Sequence, residues 1–148
     1  MNIHPSQARN NSLLSAIASE DALKITERGS RFSLKFKRAL WDASERKCAY
    51  CGDEIESHKS MHVDHFTPIS KGGSNDISNF ICACHLCNIS KNNVDMAEFR
   101  MRMSINKSPL RGILRPTQVR QLLSIGVILP LEIQKFYFEI ILEQGVAA

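Results

Sequence analysis

The chain has 148 residues, 43% of them hydrophobic and 23% charged, the make-up of a soluble globular domain with a modest core and short appendages. Its formal charge of +4 is compatible with a polyanionic partner but does not identify one. No apolar run approaches the roughly 18 residues of a membrane span, and Met1 to Asn10 lacks the apolar centre of a secretory signal, so a cytoplasmic setting with reduced thiols is expected.

In chain order, residues 1–11 read as a loose start, and Ser12 offers a cap for a short helix carrying Leu13, Leu14 and Ile17. Gly29-Ser30 punctuates the chain. A better-patterned helix follows Ser33, with Phe36, Leu40 and Ala43 on one face and Trp41 nearby, and it leads to Cys48. Met61 to Phe66 reads as a short strand that Pro68 stops. Lys71 to Asp76 is a loop, and Asn79 to Cys84 returns as a second strand.

Helical character resumes near Cys87, breaks at Asn92-Asn93, and starts again behind the capping pattern Asp95-x-x-Glu98. Pro116 and Gly126 bracket one further helix, and Pro130 and Gly145 bracket another. In the last, Ile133, Phe136, Tyr137, Ile140 and Ile141 share one face. That face packs on the central domain or docks another protein or a second copy. The domains expected are 1–31, an extension that is partly flexible; 32–99, a central domain with its leading helix; and 100–148, a basic helical extension.

Charge is clustered. From Phe99 to Leu131 there is no Asp or Glu, whereas Arg100, Arg102, Lys107, Arg111, Arg115 and Arg120 are all basic, and Lys35, Lys37 and Arg38 form a second group. Such clusters attract polyanions in a salt-dependent way, although each residue alone also fits a solvated helix face.

The chemistry concentrates between Cys48 and Lys91. Two Cys-x-x-Cys pairs, Cys48/Cys51 and Cys84/Cys87, have the spacing by which tight turns bring four thiolates to one tetrahedral zinc ion. Cys82 falls outside that spacing and reads as a small buried strand residue. His85, inside the second pair, is either a surplus ligand or a surface histidine. Between the pairs lie Asp64, an oxygen donor suited to Mg²⁺ or Mn²⁺, and His65, a group able to take a proton from water near neutral pH. Strand alternation puts these neighbours on opposite faces, so the strand must bend or end there; His62 shares the Asp64 face.

The run His62-Val-Asp-His-Phe-Thr-Pro-Ile-Ser-Lys-Gly-Gly-Ser74, continuing through Asn79 to Cys84-His-Leu-Cys-Asn-Ile-Ser-Lys91, resembles the HNH endonuclease family with supporting zinc knuckles. The resemblance implies an α+β fold: a small zinc-stapled ββα-metal module flanked by N-terminal and C-terminal helices. It implies that Asp64 and Asn88 hold the catalytic divalent ion, that His65 is the general base, and that Asn79 holds the active-site loop. Lys91 would lie near a phosphate, and the charge clustering makes Arg100, Arg111, Arg115 and Arg120 further candidate phosphate contacts. The activity implied is hydrolysis of DNA phosphodiesters leaving 5′-phosphate and 3′-hydroxyl ends. The competing readings are a non-catalytic zinc-stapled nucleic-acid-binding module and a nuclease subunit gated by a partner protein.

Overall fold

A computed structural model describes residues 17–147, with side chains to residue 144. The helix expected from Ser12 lies almost wholly outside the described residues. The fold mixes helices with two small antiparallel sheets, as an α+β chain should. It divides into two compact units, one of residues 1–88 with 136–148 and one of 89–135. The chain returns to the first unit for its last helix.

In the first unit, helix α1 (Ser19–Ala22) runs into strands β1 (Leu23–Thr26) and β2 (Gly29–Phe32), which pair from Leu23↔Phe32 to Thr26↔Gly29. This hairpin lies at the end of the N-terminal extension expected over 1–31. Its strands are mostly polar and exposed, so no apolar alternation marked them. The turn is held locally: the Thr26 hydroxyl accepts the Arg28 N–H and donates to the Gly29 carbonyl.

Helix α2 (Leu34–Ala43) starts where the pattern predicts. The Ser33 hydroxyl accepts the Phe36 N–H as an N-cap, and Phe36, Leu40 and Ala43 are the buried face. Strands β3 (His62–His65) and β4 (Phe80–Ala83) pair in the register His62↔Ala83, Val63↔Cys82, Asp64↔Ile81 and His65↔Phe80. Phe36 and Phe32 both pack edge-on or tilted near Phe80, joining α2 and the first hairpin to this one. Helix α3 (His85–Lys91) follows at once and ends at Asn92, whose φ of 43° leaves the helical region.

The second unit holds α4 (Met96–Asn106), capped by the Asp95 carboxylate accepting the Glu98 N–H, and α5 (Pro116–Ser124), stopped before Gly126. Its core is Ile105, Leu110 and Val119, with Met101, Leu114, Leu129 and Leu131 packed around them.

The last helix is the largest departure. Helix α6 covers Tyr137–Ala147, not Pro130–Gly145. Ile133 lies outside it and is exposed, while Phe136 and Phe138 are buried. Capping explains the shift. The Glu139 carboxylate accepts the Phe136 N–H, and the Tyr137 and Phe138 N–H groups donate to the Tyr50 and Ala49 carbonyls at 2.8 and 2.9 Å. The first cysteine pair therefore helps fix where α6 begins.

Candidate active site and metal centre

The four cysteines converge. Backbone turns Cys48 N–H to Asp53 O and Gly52 N–H to Cys48 O shape the first knuckle, and Ala49 N–H to Cys82 O ties it to β4 beside Cys84. All four sulfurs lie within 4.8 Å of one another, and Cys51 Sγ is 3.8 Å from Cys84 Sγ. A tetrahedron of Zn–S bonds of about 2.3 Å has an edge of about 3.8 Å, so the donor set fits such an ion.

Backbone N–H groups of Asp53 and Cys87 already point at Cys51 and Cys84 sulfur. Hydrogen bonds from Cys48, Cys51 and Cys87 hold Cys84 far below the ordinary thiol range, whereas contacts with Cys48 and Cys84 push Cys51, and contacts with Cys48, Cys51 and Cys84 push Cys87, far above it. Sulfurs this close cannot all be thiolates without a cation among them. Cys82 stands apart: it is fully buried, it touches the Met61 sulfur, and burial pushes its thiol up to about 12.

Asp64 is nearly buried on β3, and its Oδ2 accepts a 2.6 Å hydrogen bond from the Tyr50 hydroxyl. Burial, and then the adjacent Asp64 charge and the bond to it, hold the Tyr50 hydroxyl well above the ordinary phenol range, so it remains a donor. Tyr50 is itself fixed by edge-on contacts with Phe136 and Phe138. Sequence reasoning missed it, although a buried tyrosine inside a knuckle needs a partner for its hydroxyl.

His65 takes other surroundings. Its ring packs edge-on against Phe80 and tilted against Phe32, and Nε2 lies 2.8 Å from Asn75 Oδ1. The Nε2–H tautomer donates this bond and leaves Nδ1 as its basic nitrogen. Alternation thus separates Asp64 from His65 as expected, and β3 ends at His65. Asn75 was also missed; it sat in a stretch read only as a turn.

Asn79 clasps the loop between the strands. Its Oδ1 accepts the Thr67 N–H at 2.9 Å, and Nδ2 donates to the Thr67 and Ser74 carbonyls at 3.0 and 2.8 Å. The diglycine fits this clasp. Gly72 has φ +87°, and a Cβ on Gly73 would lie 1.8 Å from the Thr67 carbonyl oxygen, so only glycine lets the loop close.

Asn88 is half-buried in the first turn of α3, where its N–H donates to the Cys84 carbonyl. His62 and His85 face each other, with Nε2 and Nδ1 3.3 Å apart. Lys91 is 1% exposed in the last turn of α3, an end whose carbonyls favour a cation. In the second unit Arg100 donates to the Gln134 carbonyl and Arg120 pairs with Glu98, whereas Arg111 and Arg115 are exposed.

The HNH endonuclease family model matches residues 48–94. Aligned over 71 positions, the chain is 39% identical to the "SPbeta prophage-derived putative HNH endonuclease YoqL" of Bacillus subtilis, covering 39% of this chain and 28% of that protein. Aligned over 60 residues, the chain is 37% identical to the CRISPR-associated endonuclease Cas9 of Corynebacterium diphtheriae, covering 40% of this chain and 5% of that protein. The chain therefore spans well under a third of either relative. Among the described residues, no helix is long and apolar enough to cross a membrane.

Proposed function

We propose that this chain is a metal-dependent endonuclease that hydrolyses DNA phosphodiester bonds at the end of β3. Cys48, Cys51, Cys84 and Cys87 hold a structural zinc ion, their thiols kept reduced in a cytoplasmic setting. Asp64 and Asn88 offer carboxylate and amide oxygens, the hard donors that Mg²⁺ or Mn²⁺ takes. Bound there, such an ion supplies Lewis-acid stabilisation of charge on the scissile phosphate and the departing 3′ oxygen.

The protein residues do the rest. Tyr50 orients the Asp64 carboxylate. Asn75 fixes the His65 ring, and Nδ1 accepts the proton of the attacking water as its oxygen bonds to phosphorus. Asn79 keeps the intervening loop closed. The products carry 5′-phosphate and 3′-hydroxyl ends. Exposed Arg111 and Arg115 add phosphate contacts, with Arg100 and Arg120 as further members of that basic set.

The observation that supports this reading best is the Asn79 clasp. One side chain makes three hydrogen bonds that shape the loop immediately after His65, which a purely structural zinc module does not need. The test is a labelled duplex incubated with Mg²⁺ or Mn²⁺. Fragments whose 5′ ends accept a kinase label only after phosphatase treatment are expected. Binding unaffected by divalent ion, with no fragments under either metal, would instead favour the non-catalytic module.

A further inference from the structure

The β1–β2 hairpin lies outside the family match, and nothing in the proposed chemistry uses it. From Leu23 to Arg38 the chain carries six basic residues, Lys24, Arg28, Arg31, Lys35, Lys37 and Arg38, against the single acid Glu27. Among the described residues, none of the six has a carboxylate partner. Lys24 and Arg31 are moreover direct cross-strand partners on the same face of the hairpin. Like charges in that position weaken a strand pair, and an isolated two-stranded hairpin has little stability to spare. Such an arrangement is relieved when an anion lies across the pair.

A place for the anion exists. Lys24, Thr26, Arg28, Arg31, Phe32 and Leu34 line an open groove of about 580 Å³. Phe32 forms part of its wall, and the ring of Phe32 packs 6.2 Å from the ring of His65 and 5.0 Å from that of Phe80. The groove is thus anchored one aromatic ring away from the proposed base, within the same compact unit. Lys35, Lys37 and Arg38 follow at once on α2, so the basic run continues from the hairpin into that helix.

Resting on the nuclease reading above, we infer that the β1–β2 hairpin is a phosphate-backbone clamp for duplex DNA. Lys24, Arg28 and Arg31 hold the strand that leads to His65. Arginine forks grip phosphate oxygens through paired N–H donors, and Lys24 adds a point charge across the strands from Arg31. The contacts are to backbone, so the clamp contributes affinity and register without reading sequence.

The experiment measures binding of a fluorescein-labelled 20-base-pair duplex by anisotropy from 50 to 300 mM NaCl, using His65→Ala protein so that nothing is cleaved. Lys24→Ala/Arg31→Ala is compared with a control pair on other surfaces, Arg46→Ala/Lys59→Ala. All four side chains are exposed, and circular dichroism with zinc content verifies folding. The hairpin pair is expected to weaken binding at least about fivefold at 100 mM salt and to lower the log–log salt slope by about 1.8, two phosphates' worth. The control pair is expected to leave the slope unchanged. A hairpin pair whose slope matches its parent, or equal losses in both pairs, overturns the clamp while leaving cleavage by the wild-type protein intact. Wild-type protein that neither binds nor cleaves DNA overturns the nuclease reading and the clamp together.

Discussion

The Tyr50 hydroxyl donates a 2.6 Å hydrogen bond to Oδ2 of Asp64, joining the first cysteine knuckle to the carboxylate proposed as a metal ligand. One residue thereby connects the four-cysteine cluster with that carboxylate. The knuckle positions the tyrosine, the tyrosine orients the carboxylate, and Phe136 and Phe138 hold the ring in place.

Tyr50→Phe should keep the fold and its zinc but leave a nearly buried carboxylate oxygen without this donor, at a cost of about 1–3 kcal/mol. Loss of an outer partner of this sort typically lowers metal affinity or activity about 10–100-fold. Cleavage measured against Mg²⁺ concentration should therefore shift to higher metal. A curve superimposable on that of wild type would mean that the bond has no part in catalysis.

The loop clasp makes a sharper prediction. Asn79→Ala removes three hydrogen bonds, each worth about 1 kcal/mol. Asn79→Asp should be worse, because it turns an oxygen toward the Thr67 and Ser74 carbonyls that now accept N–H donors. Gly73→Ala should be comparably damaging, given the overlap with Thr67. Melting temperatures and limited proteolysis near residues 67–74 check the order.

Metal removal should unfold more than the knuckles. Ala49 and Tyr50 supply the carbonyls that accept the first N–H groups of α6, so stripping zinc or changing Cys84→Ser should loosen both the β3–β4 module and α6. Hydrogen exchange should show both segments losing protection together. Protection of α6 that survives zinc loss would separate its packing from the knuckle.

Acid stability offers a test in the second unit. The Arg120 partner, followed by Arg102, holds Glu98 below the ordinary glutamate value. Because the folded pKa is depressed, its stabilisation is present above the unfolded value of about 4.3 and is lost as pH falls through the lower folded value. Glu98→Gln should flatten the decline in melting temperature below about pH 4.5 while lowering the plateau at neutral pH. The pair is partly exposed, so the effect is modest and weakens with salt.

Much of this site is legible in the chain because its constraints are local. Two-residue gaps between cysteines, Ser33 before an apolar 3.6-residue pattern, and Asp95 three residues before Glu98 each dictate nearby geometry, and the structure contains each of them. What escaped depends on distant partners. Tyr50 and Asn75 act only through side chains that folding brings to them. The start of α6 is set by carbonyls 87 and 89 residues earlier (137 less 50, and 138 less 49), so a proline and an apolar stripe pointed to Pro130 instead. The β1–β2 hairpin escaped for the opposite reason: its strands bury little, so they carry charge where a core strand would alternate.

The most direct measurement is cleavage of supercoiled plasmid by wild-type and His65→Ala proteins with Mg²⁺ or Mn²⁺, matched for zinc content and melting temperature. The account predicts nicked or linear product from the wild type alone, abolished by EDTA, with the variant folded and zinc-loaded. Equal cleavage by both proteins would contradict the assignment of His65 as the base.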